Sequence, residues 1–63
     1  MTRKDYVAIA SALRCVDNRA WMDGDADTRE TVAEIVLMLS QVLREDNPRF
    51  DARRFAAACG VLS

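Results

Sequence analysis

The sequence predicts an all-α fold, a small three-helix bundle with helices over roughly residues 3–16, 28–46 and 51–59. Three observations carry that prediction. Apolar residues recur at helical rather than alternating spacing, as in Tyr6, Ile9, Ala10 and Leu13. Helix start and stop signals stand where that spacing begins and ends. The composition, with ten alanines, two glycines and one proline among 63 residues, is rich in helix formers and poor in turn punctuation. A chain of this length is a single domain, 1–63, and its small core leaves a monomer or a core-sharing homodimer as the two expected states.

Helix one starts near Arg3 because Thr2 and Asp5 have the spacing of a capping box, a hydroxyl at the cap and a carboxylate three residues on. Val16 extends its apolar face by a turn, and an end is expected between Cys15 and Asn18. Asp17 to Asp27 has loop chemistry, with Asn18, Gly24 and three alternating aspartates around Trp21 and Met22. In that loop Trp21 is expected to anchor the chain onto the helices, with a partner-facing role as the competing reading.

Asp27 or Thr28 then caps helix two, whose first turns carry Glu30 and Glu34 where the helix dipole favours negative charge. Val32, Ile35, Val36, Leu39, Val42 and Leu43 form its apolar stripe, and Leu37 and Met38 widen the stripe around the cylinder. A central helix packed against both others accounts for that width; a second copy of the chain is the rival cover. Asn47-Pro48 ends the helix, since the residue before proline is pushed out of the helical region. Phe50 precedes the cap Asp51 and Phe55 lies one turn inside helix three, the spacing of a hydrophobic staple. Gly60 and Val61 close it as a Schellman motif.

Net charge is −1, but it is unevenly spread: residues 17–34 hold six acids against Arg19 and Arg29. Asp23, Asp25, Asp27, Glu30 and Glu34, together with Trp21, therefore form the candidate contact surface for a basic partner. Asp23, Asp25, Asp27 and Glu34 also fit a calcium-loop frame at positions one, three, five and twelve, but Thr28 occupies the position that needs glycine. Arg49, Arg53 and Arg54 cluster at the start of helix three and are the candidate anion or nucleic-acid contacts. A helix-turn-helix reading of helices two and three is disfavoured by the acidic balance and by the alanines that fill helix three, so direct nucleic-acid binding is not expected.

Several functions are excluded on chemistry. There is no histidine and no glycine-rich phosphate loop, and neither Cys15 nor Cys59 has an obvious basic partner to lower its pKa. No enzyme, metal or cofactor is expected. No run approaches the roughly 20 apolar residues of a membrane span and no signal-peptide core is present, so a cytoplasmic protein without membrane association is expected. In such a reducing compartment the two cysteines are expected as buried thiols.

The frame Thr2-Arg3-Lys4-Asp5-Tyr6, Ile9-Ala10, Leu13-Arg14, then Asp46-Asn47-Pro48-Arg49-Phe50-Asp51, Arg54-Phe55 and Ala57-Ala58-Cys59-Gly60-Val61 resembles small helical proteins encoded by phages and prophages. The likeness covers both ends, about half the chain, and leaves residues 15–31 as the variable middle. Its matched residues are capping and core positions, so it transfers no active site. It implies an accessory protein that binds and inhibits a host protein, with an anti-CRISPR inhibitor of a CRISPR effector subunit as the concrete instance. A small DNA-associated regulator and a dimeric scaffold are the alternatives.

Overall fold

The computed structural model describes residues 2–61 and confirms the all-α three-helix architecture: α1 Arg3–Asp23, α2 Ala26–Asp46 and α3 Ala52–Ala58. Among the described residues there is no strand. At the start of α1 the Thr2 backbone N–H donates to the Asp5 carboxylate at 2.9 Å, closing the expected capping box.

The first departure is the length of α1. It continues through Asn18 and Trp21 to Asp23, and the expected loop shrinks to Gly24 and Asp25. The reason lies in the register of Asp17 and Ala20, which are both buried and continue the face of Ala10 and Leu13 at helical spacing. A carboxylate at a core position mimics loop composition, yet the helix needs only that the charge be matched. Gly24 then closes α1 with φ +70°, a conformation open to glycine. Its N–H donates to the Trp21 carbonyl at 3.2 Å and the Asp25 N–H to the Ala20 carbonyl at 2.8 Å, the two bonds of a Schellman stop.

Asp25, not Asp27 or Thr28, caps α2. Its carboxylate accepts from the Thr28 backbone N–H at 3.0 Å and from the Thr28 hydroxyl. The far end behaves as expected, with Asn47 extended at φ −139° before Pro48. Asn47 also accepts the Arg49 N–H on its side chain at 3.1 Å, which shapes the turn into α3. Asp51 caps α3 by accepting the Arg54 N–H at 3.0 Å. The stop at Gly60 is the predicted Schellman motif, with bonds from Gly60 to Ala57 at 3.1 Å and from Val61 to Ala56 at 3.2 Å.

The core is Ala10 from α1, Val32, Val36 and Leu43 from α2, and Phe50, Phe55 and Cys59 from the α3 segment. Tyr6, Phe50 and Phe55 form an aromatic row with centroid separations of 5.2 and 5.4 Å, so the staple is made and reaches α1 as well. The molecule measures 35 × 19 × 16 Å. A 21-residue helix is about 31 Å long, so the α1/α2 hairpin sets the long axis. The short α3 packs beside Tyr6 and Ala10 near the start of α1, and its stop reaches Arg14 and Asp17 midway along it. It does not cover the whole apolar circumference of α2: Leu37, Met38 and Val42 stay exposed.

Candidate functional site

Two ends of the hairpin carry the residues singled out from the sequence. At the turn end, Trp21 is not a core anchor: it is 67% exposed, and Met22 beside it is 83% exposed. Trp21 is nevertheless held. The Arg29 guanidinium lies 5.0 Å from the indole centroid, and the Arg29 Nε donates to the Asp17 carboxylate at 3.3 Å. Asp17 is buried, and a Cβ at Gly60 would meet its Oδ2 at 3.5 Å, so this carboxylate sits where α1, α2 and the end of α3 converge. A buried carboxylate thus fixes a guanidinium, which in turn presents an indole to solvent.

Sequence reasoning missed the Asp17–Arg29 pair, because its members are 12 residues apart and meet only once α1 and α2 fold back. The signal was present in the register of Asp17, which falls on the apolar stripe of α1. Among the described residues it is the only ion pair.

The acids divide by role. Asp27, Glu30 and Glu34 are exposed and spaced i, i+3, i+7, so they form one stripe on the solvent face of α2, roughly 100° to 160° around the helix from Arg29. Asp25 is engaged as the cap, and hydrogen bonds from the Thr28 hydroxyl and backbone N–H hold its carboxyl below the usual 3.8. Asp23 lies in the last turn of α1, where no basic residue offsets it and negative charge opposes the helix dipole. The structure therefore groups Trp21, Met22, Asp23 and Asp25 at one tip and carries Asp27, Glu30 and Glu34 away along α2. With Asp25 used as a cap and Glu34 more than two turns into α2, the calcium frame does not assemble. No three metal-ligating side chains come together among the described residues.

At the opposite end, Arg49 and Arg54 line a groove of about 490 Å³ together with Arg3, over a floor that includes Tyr6, Val7 and Phe55. Arg53 does not line it. Among the described residues none of these three guanidinium groups forms an ion pair, and with Asp51 as the one carboxylate in the lining the groove is basic where the tip is acidic. The Tyr6 hydroxyl is buried there with no hydrogen-bond partner among the described residues. The cysteines differ from expectation in one case: Cys59 is a buried thiol, its pKa pushed up by desolvation, but Cys15 is exposed, and both are free. No helix is long and apolar enough to cross a membrane among the described residues.

No known protein family, curated protein or solved structure matches this chain.

Proposed function

We propose that this protein is a non-catalytic binding protein that docks the α1–α2 tip onto a basic surface of another protein and blocks it stoichiometrically. The single observation behind this is Trp21, a large aromatic left two-thirds exposed but held by Arg29 over Asp17. An indole already ordered before binding loses little side-chain entropy on contact, and tryptophan is the residue most enriched at the centres of interfaces. Met22 enlarges its apolar area, and Asp23, Asp27 and Glu30 supply a negative surround suited to an arginine- or lysine-rich partner. The resemblance to phage-encoded proteins makes a nucleic-acid-handling host protein, such as a CRISPR effector subunit, the concrete target, with the bound protein as an anti-CRISPR-type inhibitor.

The test is capture of a host partner by the tagged protein from nuclease-treated lysate, read by mass spectrometry, with two variants. Trp21→Ala and the triple reversal Asp23→Lys, Asp27→Lys, Glu30→Lys touch neither cap nor core and should leave helicity intact by circular dichroism. Each should abolish recovery of a stoichiometric partner. Equal recovery with both variants rules out the tip. The groove at the other end favours a second reading, an anion-binding factor using Arg3, Arg49 and Arg54; its signature is salt-sensitive retention of nucleic acid lost in Arg49→Ala/Arg54→Ala.

A further inference from the structure

We infer that the arginine-lined groove between α1 and α3 is a binding site for a phosphate monoester carried on an apolar, aromatic-sized body, a ligand class that rests on the anion-binding reading of this groove and leaves the Trp21 tip untouched. Three segments of the chain each bring one guanidinium to it. Arg3 opens α1, Arg49 stands in the turn between α2 and α3, and Arg54 lies in α3. Backbone bonds fix where two of these side chains start: the Arg49 N–H donates to the Asn47 side chain at 3.1 Å and the Arg54 N–H to the Asp51 carboxylate at 3.0 Å. The charged heads are uncommitted, since the one guanidinium hydrogen bond among the described residues belongs to Arg29. Asn47 spends its Oδ1 on Arg49, which leaves its amide NH2 as a neutral donor in the lining.

Charge selects the anion. Three guanidiniums against the single carboxylate of Asp51 leave the lining with a net charge of +2. A carboxylate or a phosphodiester cancels only one of those charges, whereas a phosphate monoester brings about −1.5 to −2 and three terminal oxygens. Guanidinium forks pair bidentately with such oxygens, so one monoester can engage arginines that arrive from separate segments.

Volume and floor select the rest of the ligand. The groove holds about 490 Å³, within the range of small-molecule sites and more than an isolated phosphate fills. Its floor is carbon: Val7 is 60% exposed, Ala58 is exposed, and Tyr6 offers its ring because its hydroxyl is buried. The Tyr6 ring is held 5.2 Å from that of Phe50, which lies 5.4 Å from that of Phe55, so the floor is formed before a ligand arrives. With no free hydroxyl on it to meet a sugar, it favours an apolar body.

Titration of the isotope-labelled full chain with phenyl phosphate, read by amide chemical shifts, tests this. Shifts are expected at Arg3, Val7, Asn47 and Ala58 and not at Trp21. Inorganic phosphate should bind the same residues about tenfold more weakly for want of a body, and benzoate more weakly than phenyl phosphate for want of charge. Arg49→Ala/Arg54→Ala should lower affinity for phenyl phosphate by about tenfold or more, and Arg3→Ala, on another helix, should weaken it too. Arg53→Ala, outside the lining, should leave it unchanged. All four arginines are exposed and no guanidinium among them is engaged, so the variants should keep the wild-type amide spectrum away from the groove. No shift at the named residues up to about 10 mM phenyl phosphate overturns the site, as does full affinity in both Arg49→Ala/Arg54→Ala and Arg3→Ala. Equal affinity for inorganic phosphate or for benzoate overturns the ligand class, and an equal loss in Arg53→Ala reduces the site to diffuse surface charge and overturns it. A single-stranded oligonucleotide separates the two readings of the groove: shifts with it and none with phenyl phosphate overturn the monoester site and leave an anion-binding surface, while shifts with neither overturn both.

Discussion

Asp17 is the residue on which the structure turns. Its buried carboxylate has one cationic partner, Arg29, whose side chain is 40% exposed. Arg29→Ala leaves that carboxylate stranded among α1, α2 and Gly60, and breaking such pairs is costly where a well-packed apolar replacement is tolerated. We expect Arg29→Ala to lower unfolding free energy in urea by about 2 kcal/mol, discounted from the fully buried case because the guanidinium is wetted. Adding Asp17→Leu in that background should restore most of the loss. No recovery in the double variant would mean that packing of the Arg29 stem over Trp21, and not charge burial, holds the junction.

The same residue shows why part of the candidate site was illegible in sequence. Read locally, Asp17, Asn18, Asp23 and Asp25 look like a polar loop; read at helical register, Asp17 and Ala20 continue the face begun by Tyr6 and Ala10. The choice between them depends on Arg29, which only the fold brings near. Trp21 follows from it, because a residue assigned to a loop needs an anchoring role, whereas one in the last turns of a long helix can face solvent.

At the scale of elements the sequence was far more legible. The start of α1 at Thr2, the stop of α2 at Asn47-Pro48 and both ends of α3 stand within a residue of expectation, because each is set by caps, backbone bonds or proline sterics that act within about five residues along the chain. The exceptions are the end of α1, which runs on to Asp23, and the start of α2, where three aspartates compete as caps and Asp25 wins through its bonds to Thr28 and the glycine stop before it.

This cap carries a pH signature. Because the folded Asp25 carboxyl titrates below its ordinary 3.8, the ionised form is favoured by folding. Its contribution is complete above that ordinary value and is lost as pH falls through the lowered one. Asp5, lowered by its bonds to the Thr2 backbone and side chain, acts in the same direction. The melting temperature of the wild type should therefore drop as pH is taken below about 4. Asp25→Ser keeps a cap without a titrating group, so the wild-type advantage over it should shrink over the same range. An advantage that holds constant down to pH about 2 would show that the cap bond does not favour the ionised carboxyl.

At the scale of the whole molecule, a two-helix hairpin is completed by a seven-residue helix placed toward one end. Phe50, Phe55 and Cys59 supply nearly half of the buried core, so α3 holds the hairpin closed despite its length. A chain ending at Asn47 should lose the cooperative thermal transition seen by circular dichroism, because Ala10, Val36 and Leu43 would face water. A sharp melt in the truncated chain at the full-length temperature would show that the hairpin, alone or paired, is a complete core.

The sequence by itself determined the helical class, the start of α1, the stop of α2, both ends of α3 and the aromatic staple, since periodicity, caps and stops act between neighbours along the chain. Only the tertiary structure decided that Asp17 is buried, that Trp21 and Met22 face outward, and that Arg3 joins Arg49 and Arg54 without Arg53. It also decided which flank of α2 the short α3 would leave uncovered. Those outcomes depend on pairs brought together across the fold, and on how much surface a seven-residue helix can shield, neither of which is written in any local run of residues.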